Sequence, residues 1–400
     1  MEGELLERYA RLIVGFGANI QPGQQVLLIT SPEAAPLVRA IAARAYERGA
    51  LFVDPWWFDP YVKRLRALHA DPETLEYVPP WYGTRLLELS EAHGCRISIS
   101  PNTPPGLLED TDPSLAGRDT LPSLKEHFPI INAKTTNWLV VPWAVPAWAR
   151  RVHPGLPDDE AMARLEEQLV YVLRLDEPDA EAAWRDRIGQ LHAAATKVDA
   201  ERFDSLHFEG PGTDLTVGLL PTSRFAQDRP GTTTVDGIVH HANLPTEEIF
   251  TSPDPARTEG VVSATKPLDV GGTLVQGLQV RFEGGRVVRI EAQEGAEALR
   301  ARVAKDDNAG RLGEVALVDR DGRIGKTGTV FFNTLLDENA ASHLALGNAY
   351  ATAVGEADRG RINASAIHID FMIGSDDVAV TGVKADGSRV PVLRGGAWQL

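Results

Sequence analysis

The stretch QVLLITSPEAAPLVRAIAARAYERGALFV, residues 25–53, decides how the first half of the chain folds. Residues 25–29 form an apolar run typical of a short buried strand. The helix that follows is marked by a capping residue, a proline at its first position, an apolar stripe and a terminating glycine, namely Ser31, Pro32, Leu37, Ile41, Ala45 and Gly49. Residues 51–53 then resume as a strand. A strand–helix–strand unit with a parallel pair predicts a doubly wound α/β domain.

The character of the sequence changes in the middle of the chain. Residues 158–197 have helical spacing of apolar positions and form a plausible bridge between two domains. After them come short strand patterns separated by Gly and Asp, at 205–208, 215–217, 274–278, 287–290 and 315–318. We therefore expect an N-terminal doubly wound α/β domain over 1–195 and a C-terminal α+β domain over 196–400.

Composition limits the classes of partner. The 400 residues carry 40 Lys and Arg against 56 Asp and Glu, a formal charge of −16. Nucleic acids and anionic membranes attract basic surfaces, so neither is an expected partner. The acidic start, Met1 to Glu7, is unlike a secretory signal, and no apolar run approaches the roughly 20 residues that span a bilayer. These features predict a cytoplasmic protein.

Several common catalytic signatures are missing from the sequence. There is no Gly-rich dinucleotide motif after the first strand, no Gly-x-Ser-x-Gly and no His-Glu-x-x-His. Arg320 stands where a P-loop ending in Gly325-Lys326-Thr327 would need its first glycine. A single cysteine, Cys95, excludes an intrachain disulfide and a cysteine-rich zinc site. Any bound metal must therefore be held by histidines and carboxylates.

His368 and Asp370 lie in an apolar run, residues 366–373, that is typical of a buried strand. Side chains alternate along a strand, so these two should point the same way. An imidazole and a carboxylate aimed at one point are common ligands of divalent metals. The pair alone is equally compatible with a hydrogen bond in the core.

Three further segments of the second half contain residues able to bind metals. Glu247 and Glu248 follow a proline turn, where they could also be a solvated acidic pair, and Glu314 lies in an apolar strand, where it would need a partner. His343 and Tyr350 are seven residues apart in an Ala- and Leu-rich segment. That segment predicts a helix carrying both side chains on one face, about two turns apart.

The same segments resemble the aminopeptidase T family, the thermophilic metallo-aminopeptidases that include aminopeptidase S and PepS. The similar strings are NLPTEEIFT (243–251), LGEVALV (312–318), LLDENAASHLALGNAY (335–350), HIDFMIG (368–374), YARLIVGFGANIQPGQ (9–24) and TTNWLVVPWAVPAWA (135–149). The resemblance covers nearly the whole chain, and four of its motifs contain metal-capable side chains in the right order.

The resemblance implies a metallo-aminopeptidase that hydrolyses the N-terminal peptide bond of peptides with a water or hydroxide shared by two divalent ions. Zn, Co, Mn or Mg would suit the mixed nitrogen and oxygen ligands. It implies a homodimer whose N-terminal domain, 1–195, serves access and dimerisation. The implied metal ligands are Glu248, Glu314, Glu338, His343, His368 and Asp370, and Tyr350 is the implied active-site tyrosine.

The chemistry of this set is consistent with two ions. Four carboxylates and two neutral imidazoles match two divalent cations in charge, and bridging carboxylates would let six residues serve both ions. Tyr350 could donate a hydrogen bond to a developing oxyanion. Glu247, next to a ligand, is the candidate for moving a proton to the leaving amine.

Two other functions remain open from the sequence. Another dinuclear amidohydrolase or dipeptidase would hydrolyse blocked or non-peptide amides. A non-catalytic metal-binding protein would hold its ions with no open coordination position.

Overall fold

A computed structural model gives the structure of the protein and describes residues 1–100, 103–112, 115, 118, 119, 121, 122, 124–226 and 231–400. Within these ranges, no helix combines the length and the apolar character needed to cross a membrane.

The chain forms two compact units, and each contains two stretches of sequence. The first unit is Met1–Asp186 with Gly231–Thr246, and the second is Arg187–Pro230 with Glu247–Leu400. This differs from a single division near residue 195. The change of unit, between Asp186 and Arg187, falls inside an uninterrupted helix, Ala180–Ala200, so no break in secondary structure marks it. The return of residues 231–246 to the first unit has no signal in the local sequence.

The first unit contains a four-stranded parallel sheet of order β2-β1-β3-β4. Its strands are β1 Gln25–Thr30, β2 Phe52–Trp57, β3 Cys95–Ser100 and β4 Asn137–Pro142. The helices are α1 Gly3–Arg11, α2 Ala35–Glu47, α3 Pro60–His69, α4 Pro80–Glu91, α5 His127–Ala133, α6 Pro146–Val152 and α7 Asp158–Val172, and α8, Ala180–Ala200, begins in this unit. A short pair, β7 Thr232–Thr233 and β8 Val239–His240, completes it.

Burial explains why β1 is almost continuously apolar. Leu27 and Ile29 pack with Leu86 and Leu89 of α4, while the alternate residues of the strand are also buried. A parallel strand covered on both faces needs such a run. In the stretch 135–149, Trp143 and Trp148 are buried in the core. The predicted doubly wound α/β domain is confirmed.

The second unit is built on an eight-stranded antiparallel sheet of order β14-β13-β10-β6-β5-β18-β19-β20. Its strands are β5 Ser205–Gly210, β6 Thr213–Leu219, β10 Pro253–Ser263, β13 Gln279–Glu283, β14 Arg286–Glu291, β18 Ala379–Val383, β19 Arg389–Arg394 and β20 Ala397–Trp398. A hairpin of β11 Leu268–Val270 and β12 Thr273–Val275 accompanies it, with helices α9 Ala296–Val303, α10 Arg323–Lys326 and α11 Thr334–Glu338. The C-terminal α+β prediction is confirmed.

A second, four-stranded antiparallel sheet of order β17-β16-β15-β9 lies in the same unit. Its strands are β9 Glu248–Thr251, β15 Leu312–Val318, β16 His343–Gly347 and β17 His368–Met372. Leu317, Leu344 and Phe371 point from one face into the hydrophobic core that this sheet shares with Phe208 and Leu215 of the large sheet. The residues that alternate with them therefore occupy the opposite face.

Candidate metal centre

The opposite face of the small sheet carries five of the predicted metal-binding side chains. Strand register puts them there, because directly paired residues of neighbouring strands share a face. They are Glu248 on β9, Glu314 on β15, His343 on β16, and His368 and Asp370 on β17. The pairing of four strands thus brings together residues up to 122 positions apart in the sequence.

Small residues separate the polar ones across this face. Ala345 of β16 is paired with Glu314 on one side and with Asp370 on the other. Gly347 is paired with His368, and a Cβ atom there would lie 2.2 Å from the carbonyl oxygen of Ile367. Because Ala345 and Gly347 have little or no side chain, they leave space beside the acidic groups.

His343 is oriented by the backbone. Its Nδ1 lies 3.1 Å from the carbonyl oxygen of Ala341, which can only accept, so Nδ1 carries the proton in the neutral ring. Nε2 then presents a lone pair, and it lies 3.0 Å from Oε2 of Glu248 and 3.5 Å from Oε1 of Glu314. A lone pair facing two carboxylates is unfavourable unless a proton or a cation lies between them.

His368 repeats this arrangement on the neighbouring strand. Its Nδ1 donates to the carbonyl oxygen of Asn348 at 2.8 Å. Its Nε2 lies 3.3 Å from Oδ1 of Asp370 and 3.6 Å from Oε2 of Glu314. Metal-binding histidines characteristically donate their other ring N–H to a carbonyl or carboxylate in this way.

The structure therefore contains two groups of side chains suited to cations, and Glu314 belongs to both. One is Glu248, Glu314 and His343, and the other is Glu314, His368 and Asp370; within each, the candidate ligand atoms lie within 4.8 Å of one another. Oε1 of Glu314 faces the first group and Oε2 faces the second. A carboxylate with one oxygen toward each group is placed to be shared.

Titration behaviour reflects the crowding of negative charge on this face. Burial raises the pKa of Glu314, with further increases from Glu248 and Asp370. Burial lowers the pKa of His368, but Asp370 and Glu314 outweigh it and raise the value to about 9. The carboxylates of this face therefore favour bound positive charge, whether of protons or of a cation.

One oxygen atom gives a separate test of whether a cation fits. Oε2 of Glu248 is buried and lacks a hydrogen-bond donor of good geometry in the part of the chain that the structure describes. The nearest ring nitrogen, Nε2 of His343 at 3.0 Å, can donate to it only when the imidazole is protonated. Buried oxygen without a donor is costly, and a divalent ion would relieve the cost. The residues present fit a metal.

Glu338 lies outside both groups but close to them. Its carboxyl, at the end of α11, is buried, and burial together with Asp370 and Glu248 raises its pKa well above the usual value. The preceding acid, Asp337, has a different task, since it accepts hydrogen bonds from the backbone N–H groups of Phe331 and Asn333 at 2.9 and 3.0 Å. Of this acidic pair, Glu338 is the one near the centre.

Glu247, the candidate for proton transfer, is not part of either group. It is fully buried, and its carboxylate forms an ion pair with Arg187 and accepts from the backbone N–H of Arg323 at 3.2 Å. Glu247 immediately precedes β9, and the two neighbouring carboxylates have different partners: Arg187 pairs with Glu247, whereas Nε2 of His343 lies beside Glu248. This geometry argues against direct proton transfer by Glu247.

The predicted helix carrying His343 and Tyr350 is wrong. His343–Gly347 is a central strand whose residues are all buried. A fully buried strand needs a nearly continuous apolar run, and the Ala- and Leu-rich segment that predicted a helix meets that need equally well. Tyr350 follows in a loop, with its ring centroid 5.2 Å from that of His368 and 5.6 Å from that of Phe250. The tyrosine still reaches the centre, but through a loop and not along a helix.

Ser252 holds the backbone of this loop residue, a contact that sequence reasoning missed. Its hydroxyl donates to the carbonyl oxygen of Tyr350 at 3.0 Å and accepts from the N–H of Tyr350 at 3.2 Å. Arg187 and Asn339 were missed as well. No local pattern could identify them, because their partners lie 60 to 132 residues away in the sequence.

The fold and the site define a protein of the metallohydrolase class, in which histidines and carboxylates hold divalent ions. Residues 2–398 match the family model of the thermophilic metalloprotease (M29) family. The chain belongs to this family, and its resemblance to aminopeptidase T is confirmed.

Individual relatives agree over nearly their whole length. Aminopeptidase T of Thermus aquaticus is 42% identical over 406 residues, covering 99% of both chains. Aminopeptidase 2 of Geobacillus stearothermophilus is 38% identical, covering 98% of this chain and 97% of the relative. The solved structure of wild-type AmpT from Thermus thermophilus matches with a TM-score of 0.86 at 41% identity, covering 99% of each chain.

Proposed function

We propose that this chain releases N-terminal residues from peptides at a centre of two divalent ions. The proposed ligands are Glu248, Glu314, Glu338, His343, His368 and Asp370. The observation that carries the proposal is the pair of carboxylate–histidine groups that share Glu314. The ions are Zn, Co, Mn or Mg, since nitrogen and oxygen ligands suit all of these.

Metal-dependent aminopeptidase activity is supported independently of how many ions are bound. The family is one of metalloproteases, and the relatives are named aminopeptidases at 36–42% identity. The predicted metal-dependent aminopeptidase, a hydrolase of the exopeptidase type, is confirmed at that level.

The residues have separate roles in the proposed mechanism. Divalent ions held by these residues would lower the pKa of a water, which makes a nucleophile available, and would polarise the scissile carbonyl. His343 and His368 offer Nε2 because backbone carbonyls hold their Nδ1–H groups. Tyr350, clamped by Ser252 beside His368, is proposed to donate its hydroxyl hydrogen to the developing oxyanion. Burial, together with Glu314 and Asp370, keeps the pKa of Tyr350 well above its usual value, so the donor stays protonated.

We also propose the cellular setting. An acidic chain with one buried cysteine is consistent with a cytoplasmic enzyme whose partner is a peptide with a free N-terminus. Homodimerisation, with the N-terminal domain contributing to access and assembly, is proposed from the family and is testable by light scattering on the purified protein.

The activity is tested with aminoacyl-arylamides and with the same compounds acetylated at the amino group. Chelator should abolish hydrolysis of the free-amine substrates, and Co²⁺, Zn²⁺, Mn²⁺ or Mg²⁺ should restore it. Acetylated substrates should resist hydrolysis. Equal turnover of acetylated compounds would indicate a general amidohydrolase, and folded protein with two bound ions but no hydrolysis would indicate a structural metal site.

A further inference from the structure

Glu247 belongs to a buried ion network that contains none of the proposed metal ligands. The guanidinium of Arg187, which is 6% exposed, pairs through Nε with Glu247 and through Nη2 with both oxygens of Asp319, at 3.1 and 3.2 Å. Asp319 also accepts from Nε1 of Trp398 at 2.8 Å and from the N–H of Asp321 at 2.7 Å. One arginine thus fixes two carboxylates, each of which has additional donors.

The network is continuous with two of the proposed metal ligands. Glu247 precedes Glu248 directly, so fixing the first side chain restricts the backbone that carries the second. The N–H of Glu247 donates to Oδ1 of Asn339 at 2.6 Å, and Asn339 directly follows Glu338. Nδ2 of Asn339 in turn donates to the carbonyl oxygen of Leu335, at 2.9 Å, within α11.

We propose that Glu247 and Arg187 are positioning residues, which hold β9 and α11 so that Glu248 and Glu338 meet across the metal centre. This inference rests on the proposed function, because it assigns these two carboxylates to the ions. Asn339 is the link between the two elements. Glu247 acts through Glu248 and Asn339 and does not touch substrate.

Geometry separates this role from proton transfer. Both carboxylate oxygens of Glu247 are engaged, one by Arg187 and one by the N–H of Arg323. A base must reach the proton it transfers within hydrogen-bond distance or through one water. The carboxylate of Glu247 is held in the network by Arg187, whereas the carboxylate beside His343 is that of Glu248.

Glu247→Gln is the informative variant because it keeps the size of the side chain and removes its charge and one acceptor oxygen. Arg187 and Asp319 remain as a neutral pair, so no buried charge is left without a partner. The amide offers only one acceptor oxygen, so either Arg187 or Arg323 loses its bond. We expect the link to loosen while the unit stays folded.

The experiment is a Co²⁺ titration of the chelator-treated full-length protein, followed by kinetics at saturating Co²⁺. For Glu247→Gln we expect the Co²⁺ dissociation constant to rise about 10–100-fold, as for other residues that orient metal ligands. At saturating Co²⁺, kcat should return to within about twofold of the wild type, because the chemistry itself is untouched.

Asp199→Asn provides a matched control. Asp199 lies on α8, like Arg187, and accepts from the N–H groups of Phe225 and Ala226 at 2.8 and 2.9 Å. The substitution perturbs the same helix but changes no residue of the Arg187–Glu247–Asp319 network, so the Co²⁺ affinity should equal that of the wild type. Arg187→Lys is the second variant: it keeps the charge but loses the planar fork, and its Co²⁺ affinity should also fall.

Two results would overturn the inference. An unchanged Co²⁺ affinity with kcat lowered 100-fold or more would make Glu247 the proton-transfer residue, and no change in either quantity would remove it from the mechanism. If the wild type itself binds Co²⁺ without chelator-sensitive hydrolysis, the proposed function fails, and the affinity change in Glu247→Gln still reports on positioning.

Discussion

Replacing Glu314 with glutamine should cost the protein both ions, because this residue faces each group with a different oxygen. At free metal about 1,000 times the dissociation constant, each ion stabilises the folded state by about 4 kcal/mol. Loss of both removes about 8 kcal/mol. For a unit of roughly 200 residues, about 2–4 °C per kcal/mol translates this into a fall in Tm of about 16–32 °C.

Asp370→Asn makes the same chemical change in one group only. It should retain the ion at Glu248 and His343, and its Tm should fall by about half as much. Calorimetry with added Zn²⁺ and metal analysis of the dialysed proteins give the two readouts. If Glu314→Gln kept one ion per chain, or if the two variants lost equal amounts of metal, the sharing of Glu314 would be refuted.

Three further changes test other parts of the structure. Ser252→Ala leaves two backbone groups of Tyr350 without their partner, so it should cost about 1–3 kcal/mol of stability and lower kcat more than it raises KM. If the effects of Ser252→Ala and Tyr350→Phe were additive in the double variant, Ser252 would not act through the tyrosine. Ala345→Leu places a larger side chain between Glu314 and Asp370 and leaves all the proposed ligands in place, so metal affinity should fall at least 10-fold. Unchanged metal content would contradict the idea that a small residue is needed at position 345. Burial lowers the pKa of His240 to about 4, so this side chain takes up a proton in the unfolded chain before it does so in the folded one. Its contribution to stability should fall by about 3 kcal/mol as pH drops from about 6.5 to 4. Denaturant unfolding of His240→Asn should therefore show a smaller loss than the wild type over that range.

Strand periodicity was sufficient for part of the metal centre. His368 and Asp370 are two residues apart in an apolar run, and their shared face follows from the alternation of side chains along a strand. Glu314 in its valine-containing strand was recognisable because a buried carboxylate needs a partner. Which strands are neighbours is a property of the sheet, so the sequence could not reveal that Glu314 faces both groups of side chains.

Other features needed the tertiary structure. The run from His343 contains Ala and Leu, which favour helices, yet pairing on both sides makes it a central strand. The choice between Glu247 and Glu248 depends on Arg187, 60 residues earlier, and on Asp319. Tyr350 was placed beside His343 by a helical spacing that the structure does not have, and in the active site by resemblance. Its actual loop position is fixed by contacts such as those of Ser252.

The central claim, that the face formed by β9, β15, β16 and β17 holds two ions, is tested most directly by anomalous diffraction from crystals of the Zn²⁺-loaded protein. We expect two zinc peaks about 3.5–4 Å apart, one beside Glu248 and His343 and the other beside His368 and Asp370, with Glu314 between them. A single peak on this face, or zinc bound elsewhere while the enzyme is fully active, would contradict the account.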